Sequence, residues 1–389
     1  MHRLTHLGVA TLAVAGILAG AVGAAPALAA GADHPGLGFP GFSARHAVFV
    51  ENDRLEGGNQ IIAYDRSNAG TLTQVGVYST GGNGGQLEGS VVDHTASQGA
   101  LTYDRADNLL LAVNAGSNTV SVFAVFGDRL ALRQVISSGG KFPVSVTAFR
   151  GSVYVLNAEE GGSIQGYAVF GGRLFATPDS HRALGLPVVT PGKNEQFTHT
   201  PGQVAFSPDG SKLIVTTKAA GQSIDVFTIS RFGRLSAEPV VNSEPGTVPF
   251  GVTFDRRGNL LVAEAGPSSL ASFQLNDNGT VSQLDAVATE QKAACWVEAA
   301  AGYYYTSNAG SATLTGFQSS LGGQLLTKLG NTETHPGTVD AASAGRFLYV
   351  QGGKEGTVDE FEVEANGSLT SLASVLVPSA EGGEGIVAS

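Results

Sequence analysis

Short apolar runs rather than helical stripes dominate the chain after its first thirty residues. They are rich in β-branched and aromatic residues, and Gly, Asn, Asp or Pro bound them, as at Leu260–Glu264 and Leu270–Phe273. This alternation predicts many short strands. Turn residues such as Asp277-Asn278-Gly279 lie between consecutive runs, where hairpins need positive φ. The pattern therefore predicts an all-β chain.

The predicted strands recur in a unit of about 45 residues, which is the size of one propeller blade. Each unit has an inner strand led by Pro or Gly, a second strand that ends in a polar residue, and a hairpin with Gly before Leu or Val. The inner-strand pattern occurs at Gln98–Tyr103, Pro143–Ala148, Pro201–Phe206, Pro249–Phe254, Ala294–Ala299, Pro336–Ala341 and Gly383–Ala388. These seven occurrences predict a seven-bladed β-propeller, since a β-sandwich does not repeat in this way.

The ends of the repeat predict how the ring closes. The first blade begins at its second strand, His46–Val50, without an inner strand before it. The missing strand is the C-terminal Gly385–Ala388. We therefore expect the C-terminal strand to pair with the first blade, which leaves no open sheet edge between the first and last blades.

The N-terminus predicts export. A short basic start at Arg3 precedes an uncharged apolar run, and Ala27-Leu28-Ala29 follows as a small-residue cleavage site. We expect a signal peptide over residues 1–29, a linker over 30–44 and a propeller over 45–389. The mature protein is then secreted, and no second apolar stretch predicts membrane insertion.

Charge and cysteine content narrow the classes of partner. The formal net charge is −11, and the Lys and Arg residues form no basic stripe in the sequence. We therefore expect no nucleic-acid partner and no binding to anionic membranes. The single cysteine, Cys295, excludes an internal disulfide and is interpreted as a small packed hydrophobe. We expect a monomer that binds a small molecule or an extracellular protein or glycan.

Polar residues at the ends of the second strands form the first candidate site. In a ring of radial sheets these positions converge on one face near the axis. Ligand binding is predicted for Asn52, Asn114, Asn157, Lys218, Asn308 and Gln351. The alternative is that the amides satisfy backbone groups of the following turns. Glu264 is the only carboxylate of the aligned ring, which disfavours a metal ion.

Two histidines precede inner strands and are the candidate acid–base groups. His335 stands before the seventh blade and His199 before the fourth, after a long insertion. Glu264 is the proposed carboxylate partner, so the predicted catalytic residues are His335, His199 and Glu264. Glu88, Asp93 and His94 in the long loop before the second blade are further, weaker candidates. The sequence has no phosphate loop, zinc-binding Cys pair, G-x-S-x-G or H-E-x-x-H motif, so we expect no cofactor and no metal.

Repeat units such as Pro201–Gly210 and Leu109–Val120 resemble the lactonase family of seven-bladed propellers, which includes 6-phosphogluconolactonase and 3-carboxymuconate cyclase. The resemblance covers the chain from about His46 onward. The family's catalytic G-P-R-H and N-E segments are replaced in blade four by Thr200–Gln203 and Thr217-Lys218. The resemblance thus implies the scaffold, since fold alone does not define function.

The sequence is compatible with two functions. The first is a secreted lactonase or cycloisomerase that acts on a small carboxylated lactone, with His335 or His199 as acid–base group. The second is a non-enzymatic extracellular binding or scaffold propeller. A deep pocket with a His–carboxylate pair would favour chemistry, whereas an exposed apolar patch would favour binding.

Overall fold

The computed structural model describes residues 46–389 except 190, 191, 193, 194, 321 and 322. The predicted signal peptide, the linker and the boundary at residue 45 lie outside the described residues and stay predictions. No helix in the described part of the chain is long and apolar enough to cross a membrane. Apart from two 3₁₀ turns, Ala115–Ser117 and Gln196–Thr198, and one short α-helix, Lys218–Gly221, the regular structure there is β-strand.

The strands form seven antiparallel sheets, as the repeat predicted. The first blade contains β1 (Ala47–Glu51), β2 (Gln60–Arg66) and β3 (Leu72–Ser79). The second contains β4 (Leu101–Asp104), β5 (Leu109–Asn114), β6 (Thr119–Phe126) and β7 (Arg129–Ser137). The third contains β8 (Pro143–Phe149), β9 (Ser152–Asn157), β10 (Ser163–Phe170) and an outer edge made of β11 (Arg173–Ala176) and β12 (Arg182–Ala183).

The remaining blades follow the same order from the axis outward. The fourth contains β13 (Gln203–Phe206), β14 (Lys212–Thr216), β15 (Ser223–Thr228) and β16 (Val240–Ser243). The fifth contains β17 (Pro249–Phe254), β18 (Leu260–Glu264), β19 (Ser269–Leu275) and β20 (Val281–Ala288). The sixth contains β21 (Ala294–Ala300), β22 (Tyr303–Asn308), β23 (Thr313–Ser319) and β24 (Leu326–Glu333). The seventh contains β25 (Thr338–Ala344), β26 (Phe347–Gly352), β27 (Thr357–Val363) and β28 (Leu369–Leu376).

The last strand, β29 (Ile386–Ala388), closes the ring on β1. Val48 pairs with Ala388, and Val50 pairs with Ile386. The backbone N–H of Glu51 donates to the carbonyl of Gly385 at 2.8 Å. The predicted closure by the C-terminal strand is confirmed.

The core lies between neighbouring blades. Second strands such as β18 are buried along their whole length because a blade packs on each face, while outer strands such as β7 alternate between exposed and covered positions. Between blades three and four, for example, Tyr154, Phe206 and Val215 belong to one apolar cluster. The sheets thus form a rigid ring that holds the loops at its two ends.

The antiparallel order gives the ring two different faces. The loop face carries the turns between second and third strands and the connections between blades. The hairpin face carries the turns between first and second strands and between third and fourth strands. In blade five, Pro249 pairs with Glu264 at the loop face, and Phe254 pairs with Leu260 at the hairpin face.

Candidate active site

The connection between blades one and two crosses the axis near the loop face. The side chain of Gln98 donates from Nε2 to the carbonyl of Val297 in blade six at 2.9 Å and accepts from the N–H of Val297 at 3.1 Å. Trp296 Nε1 donates to the carbonyl of Ser97, and Ser97 Oγ donates to the carbonyl of Val144 in blade three at 2.7 Å. Residues 97–98 therefore fill the channel and tie distant blades together.

Three carboxyl groups lie buried beside this axial segment. Asp93 accepts from the N–H groups of Thr95 and Ser97, each at 2.8 Å. Glu384, which immediately precedes the closing segment, accepts from the N–H of Gly99 at 2.9 Å. Burial raises the pKa of Asp340 to about 6 and holds the pKa of Glu384 well above its usual range, with the nearby Asp340 charge raising the latter further. The two neighbouring carboxyl groups thus both favour their protonated forms more than free carboxyl groups do.

Lys218 supplies the cation of this interior cluster. Its ammonium donates to the carbonyls of Ala96 and Phe197, both at 2.6 Å, and lies 5.2 Å from the ring centroid of Phe250. Burial lowers the pKa of Lys218 to about 7, although the charge of Asp93 opposes that shift. Lys218 therefore fastens two long loops to blade four. Because it is 1% exposed, its contacts are internal, and its predicted role in ligand binding stays a prediction.

The other five predicted ligand-binding residues are buried, and their side-chain amides form hydrogen bonds within the protein. Asn52 donates to the carbonyl of Pro378 at 3.1 Å, and Asn114 to Ser121 Oγ at 2.8 Å. The remaining contacts have the same character: Asn157 Nδ2 to the Ser138 carbonyl, Asn308 Nδ2 to Thr315 Oγ1, and the Gly385 N–H to Gln351 Oε1. These bonds match the structural alternative, in which second-strand amides secure the loop ends.

The predicted catalytic residues have other partners than those expected from the sequence. His335 Nδ1 lies 2.5 Å from Asp359 Oδ1 at the loop end of blade seven. Glu264 Oε2 accepts from Ser269 Oγ at 2.6 Å, and burial raises the pKa of this carboxyl. His199 Nδ1 lies 3.0 Å from the carbonyl of Glu195. Catalysis by His335, His199 and Glu264 stays a prediction.

A second His–Asp pair lies in an open groove on the loop face. His94 Nδ1 is 3.5 Å from Asp53 Oδ2, which is longer than an ordinary hydrogen bond, so the pair is a close ionic contact. The groove has a volume of about 640 Å³ and is also lined by Arg54, Lys354 and Gly382, among others. It is lined by the partly exposed His94 imidazole and by two cations, Arg54 and Lys354, whereas Asp53 is buried behind the imidazole.

The environment of the His94–Asp53 pair perturbs both of its members. Burial raises the pKa of Asp53 to about 6, although its close contact with His94 opposes that shift. Burial alone would lower the pKa of His94, but its interactions with Asp53 and the charge of Asp93 outweigh that effect, so its pKa is raised. Perturbed pKa values on an imidazole and a carboxylate that lie in contact at a groove are typical of acid–base sites.

Gly382 lies against the Nε2 edge of the His94 ring, whereas Asp53 lies near Nδ1. A Cβ atom at this position would lie 2.1 Å from His94 Nε2, and its φ of +76° is in the left-handed region that favours glycine. The N–H of His94 also donates to the carbonyl of Gly382 at 2.8 Å. A glycine at this position therefore leaves the space that the His94 imidazole occupies.

The closed ring of four-stranded blades and its loop-face groove define a seven-bladed β-propeller with a polar surface site. A family model described as a lactonase, seven-bladed β-propeller, matches residues 38–170 and 190–381. The chain belongs to this lactonase family.

Solved structures share the fold at low sequence identity. The periplasmic gluconolactonase of Pseudomonas aeruginosa, PpgL, is 18% identical and has a TM-score of 0.71, over 88% of this chain and 98% of that one. A protein from Lactobacillus plantarum is 20% identical and has a TM-score of 0.66, over 89% of this chain and 99% of that one. No curated protein sequence matches the chain.

Three buried acidic residues, Asp53, Asp340 and Glu384, were not predicted as site residues from the sequence, and His94 was predicted only as a weaker candidate. Asp340 and Glu384 lie within two of the inner-strand repeats, which were used only to count blades, and Asp53 lies outside these repeats. An available signal was the placement of Asp340 within the otherwise small and apolar inner strand β25. His94 was a weak candidate because its partner Asp53 lies in a different loop, which only the closed ring brings near.

Proposed function

We propose that the protein is a hydrolase that opens a small carboxylated lactone in the loop-face groove, with His94 as general base. The observation that carries this proposal is the contact of His94 with Asp53 in an open groove that also holds Arg54 and Lys354. An imidazole oriented by a carboxylate is a common proton carrier in hydrolysis.

The reaction needs one water molecule and no redox partner. His94 takes a proton from water as the oxygen attacks the lactone carbonyl. The ring C–O bond then breaks, and the imidazolium returns the proton to the departing alkoxide oxygen. The product is the hydroxy acid, and the enzyme is left unchanged. The carboxylate of Asp53 stabilises the imidazolium that forms between the two proton transfers.

The charges of the groove suggest the substrate class. Arg54 and Lys354 form no ion pair within the part of the chain that the structure describes, so both are available to a substrate carboxylate. Glu56 and Glu381 line the same groove and offset that positive charge. This balance favours a singly charged carboxylate over a doubly charged phosphate.

Export of the protein is part of the same proposal. It rests on the basic start, the apolar run and the Ala27-Leu28-Ala29 site. A lactone in the surrounding medium would then reach the groove without crossing a membrane.

A binding or scaffold function is the second candidate. The observation that favours it is the filled axis, where Gln98 and Trp296 bond across the channel, so that the groove with His94 lies at the surface and not in a deep central pocket. A surface groove also suits ligand binding without catalysis. A measurement of turnover therefore distinguishes the two functions.

A ring-opening assay tests the proposal. Small γ- and δ-lactones with a carboxylate, and their uncharged methyl esters, are mixed with the purified protein and acid release is followed by titration. We expect hydrolysis of the carboxylated lactones, and Lys354→Ala should raise KM for these substrates by about tenfold while changing that for the esters little. Arg256→Ala is the matched control, since this exposed cation lies on the hairpin face. Saturable binding of the lactones without turnover would support the binding function instead.

A further inference from the structure

The hairpin face carries exposed aromatic residues at the outer turns of three successive blades. Phe126 in blade two, Phe170 in blade three and Phe232 in blade four are 59%, 77% and 76% exposed. Phe126 and Phe170 each precede a two-residue turn that contains Gly, and Phe232 lies at the tip of the corresponding turn. Phe170 also lies against Phe175, with the ring centroids 6.5 Å apart. Rings this exposed bury little apolar area and therefore contribute little to the stability of the fold.

Exposed arginines accompany all three rings. Arg129 pairs across the strand from Phe126, and Arg173 pairs across from Phe170, so each Phe and Arg share one side of their hairpin. In blade four, Arg231 and Arg234 flank Phe232, and the guanidinium of Arg231 lies 4.7 Å from the ring centroid. We call the set of Phe126, Arg129, Phe170, Arg173, Phe232 and Arg234 the Phe–Arg rim.

Other blades of the same chain provide an internal comparison. The equivalent turns of blades one, five and seven are Ser67–Gly70, Asn276–Gly279 and Glu364–Gly367, and their residues are small, polar or acidic. Hairpin geometry therefore does not require Phe or Arg at these positions. The Phe–Arg rim is confined to three neighbouring blades, so its aromatic and positively charged side chains lie along one edge of the hairpin face.

Hydrogen bonds between the blades hold these tips side by side. Gln134 of β7 exchanges two hydrogen bonds with the backbone of Leu174 in β11, at 3.0 and 2.8 Å. Arg182 of β12 donates to the carbonyls of Leu235 and Ser236, just beyond the tip of blade four. The three tips are thus fixed to one another through their outer edges.

Charge at this edge differs from that of the whole chain. The net charge is −11, yet the outer connections of the three blades carry four exposed arginines against two acidic residues, Asp128, which is 4% exposed, and the exposed Glu238. The inner turns of these blades add Arg105, Arg150 and Lys212 against Asp104, Asp107 and Asp209. The sequence scatters these arginines, and the fold gathers them, so the edge complements a negatively charged partner. The expectation of no binding to anionic membranes rested on that scatter and does not take this clustering into account.

We propose that the Phe–Arg rim docks the protein on the surface of an anionic phospholipid bilayer. The three rings enter the interface between headgroups and acyl chains, and the arginines bind lipid phosphates. Separate projecting rings suit a fluid bilayer, which closes around each one, better than a protein surface, which needs a continuous complementary patch. The loop face, with its groove, then points away from the membrane toward solvent. This proposal does not depend on the lactonase activity.

Co-sedimentation with lipid vesicles tests the proposal. The purified full chain is mixed with vesicles of phosphatidylcholine alone and with vesicles that also contain phosphatidylglycerol. We expect preferential binding to the mixed vesicles, weakened by salt. The variant Phe126→Ser/Phe170→Ser/Phe232→Ser should lose about a thousandfold in partition, because each of the three rings contributes roughly tenfold when buried. Arg129→Gln/Arg173→Gln/Arg234→Gln should bind mixed vesicles more weakly, by about fivefold per arginine.

A matched control removes equally exposed apolar side chains elsewhere. Val188, Val241 and Leu376 are 69%, 62% and 71% exposed and lie outside the Phe–Arg rim. The variant Val188→Ser/Val241→Ser/Leu376→Ser should bind vesicles as the wild type does. Absence of vesicle binding by the wild type, or equal loss in the control and Phe variants, would overturn the proposal. So would a concentration-dependent dimer in size-exclusion chromatography that the Phe variant abolishes, since the rim would then bind a second copy of the chain.

Discussion

Ile386 in the closing strand offers a direct test of how the ring is stabilised. It is 3% exposed and packs with Val48, Val50 and Tyr349 in one apolar cluster. Truncating a buried Ile to Ala costs about 2–5 kcal/mol, because the transfer free energy of the lost methyl groups and a cavity term add. For Ile386→Ala we expect a loss of about 3 kcal/mol, which corresponds to a fall of roughly 4 °C in Tm for a domain of this size.

The assay is thermal unfolding followed by circular dichroism, with Leu376→Ala as the control. Leu376 also lies in a β-strand but is 71% exposed, so its truncation should change the free energy of unfolding by less than about 0.5 kcal/mol. Deleting residues 383–389 should destabilise the protein more than Ile386→Ala, because the β1–β29 ladder and the Glu384 contacts are lost as well. Equal Tm values for Ile386→Ala and Leu376→Ala would refute the role of this strand in closing the core.

Two further predictions concern the axis and the groove. The folded-state pKa of Asp340, about 6, lies above its ordinary value of 3.8, and that of Glu384 is also raised. Their stabilising effect is thus complete in acid and is lost as pH rises through these pKa values. In thermal melts from about pH 5 to about pH 8, Tm should fall less for Glu384→Gln than for the wild type, and parallel curves would contradict this. Gly382→Ala should abolish lactone hydrolysis by displacing His94, whereas Gly345→Ala, which has a φ of +63° and no atom within 4 Å of its Cβ position, should retain it.

Most of the fold was predictable because propeller blades repeat locally. The alternation of small and apolar residues correctly delimited inner strands such as Pro249–Phe254. The closing strand was predicted because no inner strand precedes His46 in the sequence. Local pattern does not reveal interruptions that arise from tertiary contacts. The outer edge of blade three is divided into β11 and β12 in this way, since Ser180 Oγ bonds the Gly166 carbonyl between the two segments.

The candidate site was less predictable because its groups come from distant parts of the chain. Asp53 follows a first-blade strand, His94 lies in the connection to blade two, and Gly382 precedes the closing strand. Only ring closure brings Gly382 against His94. Alignment of second-strand ends cannot distinguish amides that form hydrogen bonds inside the protein, such as that of Asn114, from groups open to a ligand.

The most direct test of the central claim compares the two His–Asp pairs of the loop face. His94 with Asp53 lies in the groove, whereas His335 with Asp359 does not line it. With a carboxylated lactone that the wild type opens, kcat/KM should fall by about a hundredfold or more in His94→Ala, as expected for loss of a general base, and should remain near the wild-type value in His335→Ala. Full activity in His94→Ala together with loss of activity in His335→Ala would contradict the proposed site and favour the acid–base group predicted from the sequence.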